Sequence, residues 1–310
     1  MNNSTKANKE EAQRALDIHR DSVFINLCDS TGLRNFDDIY IGKLMSGGVT
    51  SVAVTCFAHK ENFQDAVKSV TAWQTKCAGL ERVSVARNVQ DIEDAKREGG
   101  VTVLLCSQNA EQIENDVSNL DTFHRLGVRI VGLTYQRKNS MGDGLGERTN
   151  CGLSKLGIEA IEEMNKLGIL IDLSHCGSTT TMEAMDVSKD PVMFTHSAAR
   201  RALNNIRNMT DEQIKALAEK DGVVGILALS CFLSDKGAQM GATMEDYLNQ
   251  VDYVRDLVGV NHVGIGLDIG DRSNPQDFLA FRLRFPEFPL LDEYMRKGIY
   301  APEELLDATT

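Results

Sequence analysis

His175 and His196 each stand at the end of a short apolar run, residues 169–173 before the first and 192–195 before the second. A third run, 263–267, ends on Asp268. Neutral imidazole is the commonest protein ligand for zinc, and two imidazoles with one carboxylate leave a fourth position open for water. Such a centre polarises a carbonyl and activates the water for hydrolysis. A plainer reading stands beside this one, in which each histidine is a hydrogen-bonded structural residue. The chemistry requires the three runs to be parallel strands that end at one rim of a sheet.

The surrounding chain supplies such strands. Apolar runs at 23–27, 51–57, 101–106, 129–134, 169–173, 192–195, 223–229 and 262–268 alternate with amphipathic segments, the pattern of repeated βα units. Eight strands predict an α/β fold, a TIM (β/α)8 barrel in a single domain spanning 1–310, preceded by a polar segment at about 1–20. Thr210-Asp211-Glu212-Gln213 reads as a capping box opening the helix that carries 214–218, and Gly222 follows its end. Ile158, Ile161, Met164 and Leu167 predict a buried helical stripe, with Glu159, Glu162, Glu163 and Lys166 facing water.

Two connections exceed ordinary loop length and are candidates for lining a pocket. One is 135–154, where Gly142, Gly144 and Gly146 lack the tight strand-to-helix context of a nucleotide fingerprint. The other follows Asp268 to about residue 290 and interleaves Phe278, Phe281, Phe285 and Phe288 with Arg282 and Arg284. It reads either as a lid over substrate or as a surface packed on a second subunit. The last helix-like segment is 302–306. Of the other histidines, His59 follows the second strand and His262 opens the last one, at the end opposite Asp268.

A net charge of −12 and a pI near 5.0 disfavour nucleic acid and an anionic membrane surface as partners, because both repel the molecule at long range. A small-molecule substrate is expected instead. Seven cysteines scattered between Cys28 and Cys231 lack the paired spacing of a disulfide scaffold and read as reduced. No stretch reaches the roughly 18 apolar residues of a membrane span, and Met1 to Gln13 has no apolar leader core. The expected location is cytoplasmic.

Taken in order, the strings GLTYQRKN, CGLSKLG, MNKLGILIDLSH, PVMFTHSAAR, IRNMTDEQIKALA, GVVGI and HVGIGLD closely resemble the renal or membrane dipeptidase family of metallopeptidases. That family belongs to the amidohydrolase superfamily of TIM-barrel enzymes, and the resemblance runs from about Ala15 to Asp268. It implies that His175 and His196 bind the second of two zinc ions. It implies that Arg207, eleven residues beyond His196 and followed by Asn208, binds the substrate carboxylate, a task suited to a bidentate guanidinium. Asp268 falls at the aspartate that moves protons to and from the attacking water. The substrate implied is a dipeptide or related small amide with a free carboxylate, and a soluble homo-oligomer is expected.

Other family positions have changed. The His-x-Asp pair that binds the first zinc is replaced by Cys28 and Ser30, the glutamate that bridges both metals by Gln108, and the histidine that contacts the reacting carbonyl by Tyr135. Two divalent cations roughly 3.5–4 Å apart need anionic ligands to offset their repulsion. Replacing two carboxylates by an amide and a hydroxyl removes two negative charges, so one zinc ion at most is expected. Three readings follow. One zinc remains, and Tyr135 donates a hydrogen bond to the developing oxyanion; or the pocket runs metal-free lyase or epimerase chemistry; or it binds a ligand without chemistry. Gln108 reads as a substrate hydrogen-bonding residue. Cys28 is open between a soft zinc ligand, a nucleophile and a small buried hydrophobe.

Overall fold

The computed structural model describes residues 9–57, 61–233 and 242–270. His59, the aromatic segment 278–288 with its arginines, and 302–306 lie outside them, as does the Cys231 side chain. Nine parallel strands form one sheet: β1 (Ile25–Asp29), β2 (Ser51–Thr55), β3 (Val83–Val85), β4 (Val101–Ser107), β5 (Val128–Gly132), β6 (Leu170–Asp172), β7 (Met193–Ser197), β8 (Val223–Ile226) and β9 (Val263–Ile265). Strand β2 pairs with β4 from Ser51↔Thr102 to Thr55↔Cys106, which closes β1, β2 and β4–β9 into an eight-stranded ring. The fold is a TIM (β/α)8 barrel, as the eight apolar runs predict.

The ninth strand, β3, was not among those runs. It pairs only with Val101–Val103 of β4, below the point where β5 takes over that edge at Leu105 to Ser107. Three residues with one exposed member leave too little apolar pattern to read. Elsewhere the shifts are small. β1 begins and ends two residues later than expected, which places Cys28 inside the strand.

The ring strands read as continuous apolar runs because both faces are covered, one by the barrel interior and the other by helices. The interior layer includes Ala53, Cys106, Ile130 and Met193 with Leu27 and Leu104. The larger core lies between the ring and the helices that pack on it. The described helices α1–α10 are Lys9–Asp21, which buries no residue, Asp38–Ser46, Phe63–Ala78, Val89–Glu98, Asn119–Arg125, Lys155–Leu167, Ser178–Val187, Asp211–Glu219, Ser230–Leu233 and Met244–Val258. The capping box before α8 forms as predicted: Gln213 N–H donates to Thr210 Oγ1, and Thr210 N–H donates to Gln213 Oε1.

The predicted stripe on α6 needs correction. Its buried residues are Gly157, Ala160, Ile161 and Met164, whereas Ile158 is exposed and Leu167 half-buried. Strict threefold spacing loses about 60° of rotation per step at 3.6 residues per turn, so Ile158 and Leu167 fall on opposite sides of the helix. The true stripe follows i, i+3, i+4, i+7. Gly157 belongs to it because an added Cβ would stand 2.1 Å from the Met141 carbonyl oxygen.

Candidate active site

The C-terminal rim of the ring gathers the chemistry. Cys28 lies on β1 and His196 on β7, while Gln108, Tyr135, His175 and Asp268 follow the ends of β4, β5, β6 and β9. His175 Nε2 and His196 Nε2 are 2.9 Å apart. Donor atoms of Cys28, His196 and Asp268 all lie within 4.8 Å of one another, with Cys28 Sγ 3.5 Å from Asp268 Oδ1. The compact set is therefore Cys28–His196–Asp268, which His175 joins through His196. From the sequence, the expected set is His175, His196 and Asp268.

A buried carboxylate absent from the sequence reading orients this half of the rim. Asp172 Oδ1 accepts from the Ser174 N–H at 3.0 Å, the Ser174 hydroxyl at 2.5 Å and the Thr195 N–H at 2.9 Å. Its Oδ2 accepts from the Thr195 hydroxyl at 2.6 Å. With that proton spent, Thr195 Oγ1 serves His196 Nδ1, 2.7 Å away, as an acceptor. The Nδ1–H tautomer of His196 follows, and its Nε2 turns a lone pair towards the rim. Burial, helped by the Arg207 guanidinium, pushes the His196 pKa well below its ordinary value and keeps the ring neutral. The one signal in the sequence is an acidic residue inside the apolar run 169–173, where an unpaired charge is too costly to bury.

Glycines let the backbone pack closely behind these groups. A Cβ on Gly225 or Gly266 would stand 2.1 or 1.7 Å from the Thr195 carbonyl oxygen, so both positions need glycine for β7 to sit where it does. Gly142 and Gly144 of the loop 135–154 serve the same end. Leu145 N–H donates to the His175 carbonyl at 3.0 Å, and a Cβ on Gly144 would meet Gln136 backbone at 2.4 Å. Tyr135 lies against the His175 ring, centroids 4.4 Å apart.

On the opposite side, Asn26 Oδ1 accepts from Cys28 N–H at 3.3 Å and Leu267 N–H at 3.0 Å, tying together the strand ends that carry Cys28 and Asp268. Asn26 is a second residue that the sequence reading did not single out. Burial, then the Asp268 carboxylate, raises the Cys28 pKa well above that of a free thiol. Gln108 Nε2 donates to Thr55 Oγ1 at 3.0 Å and faces Cys28 Sγ at 3.7 Å. Gly132 makes room for Gln108, whose backbone a Cβ there would approach to 2.7 Å. Asp29 points away from the rim, accepting from the Tyr40 hydroxyl and from Thr31 N–H.

Arg207 is buried against the end of β7. It donates to the His196 carbonyl at 2.6 Å and to Ser197 Oγ at 3.2 Å, its Cζ lies 6.0 Å from the Phe232 centroid, and it has no carboxylate ion pair among the described residues. An apolar wall of Leu145, Ala198, Leu227 and Phe232 stands beside it. Asn208 is an anchor: both amide protons go to backbone carbonyls, of Leu203 at 3.1 Å and Phe232 at 2.9 Å. His262 bonds the Gly222 carbonyl at the far end of β9, away from the rim.

A parallel barrel with imidazoles, a carboxylate and a buried guanidinium at its C-terminal mouth has the form of a metallohydrolase. Residues 15–287 match the membrane dipeptidase family, peptidase family M19, and the chain belongs to that family. The dipeptidase tcpJ of Claviceps purpurea is 30% identical over 230 residues, 70% of this chain and 54% of that protein. The chain spans about half the length of the curated relatives it matches. An amidohydrolase from Pseudomonas aeruginosa superposes with a TM-score of 0.79 at 32% identity, covering 85% of this chain and 79% of that one. A metallopeptidase from Rhodobacter sphaeroides, liganded with a phosphinate mimic of the dipeptide L-Ala-D-Ala, shares the fold with a TM-score of 0.71 at 22% identity over 93% and 99% of the two chains.

Proposed function

We propose that this chain hydrolyses dipeptides or related small amides that carry a free carboxylate, using one zinc ion. The observation that carries the reading is the 2.9 Å approach of the His175 and His196 nitrogens, with Asp268 close to His196 and a buried guanidinium hydrogen-bonded to the His196 carbonyl. The donors fit one ion. Tetrahedral zinc with bonds of about 2.0–2.3 Å sets neighbouring ligand atoms about 3.3–3.6 Å apart. The His175–His196 pair at 2.9 Å comes near that span, and a small opening completes it. They do not fit two, because the groups at the remaining positions, Gln108 and Ser30, are neutral.

His175 and His196 would hold the ion with Asp268 beside them, and when bound it polarises the scissile carbonyl and lowers the pKa of a water. Arg207 takes the substrate carboxylate and so fixes the distance from that group to the reacting bond. Asp268 receives the proton of the attacking water and returns it to the leaving amine. The Tyr135 hydroxyl donates to the developing oxyanion, and the Leu145–Leu227–Phe232 wall keeps bulk water out. Gln108, whose Nε2 donates to Thr55 and Cys28, offers its amide carbonyl to the substrate from the far side.

All six described cysteines are free and, among the described residues, no helix is long and apolar enough to cross a membrane. The free thiols support the reading of a cytoplasmic enzyme, which we take to act as a homo-oligomer. The test is turnover of a dipeptide panel and of the same peptides with amidated C-termini by protein loaded with one zinc equivalent. Hydrolysis of the free acids and at least tenfold slower hydrolysis of the amides is expected. No turnover of any member, or equal rates for acids and amides, would sink the proposal.

A further inference from the structure

We infer that Cys28 is a metal ligand, its sulfur joining His196 and one Asp268 oxygen in a mixed sulfur, nitrogen and oxygen site for one thiophilic dication, with His175 as fourth donor, a fifth position open to the attacking water and the second Asp268 oxygen left to take its proton. The inference rests on the one-ion hydrolase reading and gives that ion its chemical character. Three donor atoms within 4.8 Å of one another already form a cage, and the Cys28 Sγ to Asp268 Oδ1 distance of 3.5 Å matches the tetrahedral span of about 3.6 Å for a sulfur and an oxygen on zinc.

The other barrel cysteines show what a structural thiol does here. Cys106 Sγ and Cys56 Sγ both donate to the Val54 carbonyl, at 2.8 and 3.7 Å, and need nothing further. Cys28 instead has the side chains of Asp268 and Gln108 at its sulfur. Those partners suit a thiolate bound to a cation. The amide N–H of Gln108 stabilises sulfur charge, and the thiolate and the Asp268 carboxylate together balance a dication. A metal-bound cysteine is deprotonated, so binding releases the thiol proton to solvent. A nucleophilic role has weaker support, since among the described residues the groups bonded to the sulfur are a carboxylate and an amide, with no cationic side chain.

X-ray absorption at the zinc edge of the loaded full chain reads the ligand directly and needs no variant. One sulfur at about 2.3 Å is expected; a shell of nitrogen and oxygen alone overturns the inference. Cobalt(II) titrated anaerobically into wild type should give a near-ultraviolet sulfur-to-metal charge-transfer band that saturates at one equivalent. Cys28→Ser should abolish the band and weaken cobalt binding at least tenfold; an unchanged band in that variant also overturns it. Dipeptide turnover measured on the same zinc-loaded sample separates the two readings. Turnover without sulfur ligation defeats the ligand assignment alone, and sulfur ligation without turnover defeats the hydrolase assignment alone.

Discussion

The two sides of the barrel mouth are built on the same parallel strands and held in different ways. On the side of β6 and β7, hydrogen bonds reach the functional ring itself: Asp172 fixes Thr195, and Thr195 fixes the tautomer of His196. On the side of β1, β4 and β5, the supports hold backbone, apart from one bond in which Gln108 Nε2 donates to Thr55 Oγ1. Asn26 clamps the N–H groups of Cys28 and Leu267, and Gly132 yields space to the main chain of Gln108. A side chain oriented through its own polar atoms cannot change type without orphaning buried partners, whereas one resting on a clamped backbone can. The residues that depart from the family pattern, Cys28, Ser30, Gln108 and Tyr135, all lie on the second side.

The hardest test of this contrast is Asp172→Ala. It leaves two buried hydroxyls and two backbone N–H groups without their acceptor, at about 3–5 kcal/mol in total, as for breaking a buried charged network. Chemical denaturation should register that loss. The milder Asp172→Asn should fold and bind zinc roughly 10- to 100-fold more weakly, because the orienting partner of a metal-ligating histidine is impaired. Zinc affinity equal to wild type in Asp172→Asn would show that the network does not orient His196.

Arg207→Ala comes next. Loss of a hydrogen-bonded charge should cost about 1.5–3 kcal/mol of carboxylate recognition, roughly ten- to hundredfold in KM for free-acid dipeptides. Peptides with amidated C-termini are the internal control. Their rates should change far less, and an equal loss for both classes would assign Arg207 to holding the backbone of His196 and nothing more.

The same contrast explains what was legible in the sequence. Barrel strands buried on both faces leave long apolar runs, so the ring was readable, and a titratable residue ending such a run stands out, as His175, His196 and Asp268 do. Asp172, Thr195 and Asn26 do not. They are short polar residues within or beside strands, and only their hydrogen bonds give them a role. The α6 stripe is hard to place from apolar residue types, because half of the face that packs is Gly157 and Ala160, which carry little hydrophobic signal. Cys28 was ambiguous for a related reason: a thiol in a strand looks the same whether its partner is a carbonyl or a carboxylate.

Gln108→Glu tests the other side of the mouth. A carboxylate about 4 Å from the Cys28 sulfur restores one anion, worth up to about 4 kcal/mol to a nearby charge at an effective dielectric of 20 and less after desolvation. The clamped backbone should accept the change. The metal-free variant should lose stability, since a third acidic group joins Cys28 and Asp268, and zinc should restore it. Elemental analysis at fixed free zinc should then find more than the one equivalent expected for wild type. Two equivalents in wild type itself would remove the basis for calling Gln108 a barrier to the second ion.

Tyr135→Phe carries the smallest expected effect and separates two things this residue can do. Its ring lies 4.4 Å from that of His175 with 35° between the planes, and phenylalanine keeps that contact. Only the hydroxyl is lost. If the hydroxyl donates to the oxyanion, kcat should fall about tenfold with KM nearly unchanged, near the lower end for removing one such donor, because the metal shares the charge. Tyr135→Leu removes the ring as well and should add a loss of zinc affinity through a looser His175. Equal kcat in wild type and Tyr135→Phe, with a loss only in Tyr135→Leu, would leave Tyr135 as packing for the histidine and move the oxyanion donor elsewhere on the rim.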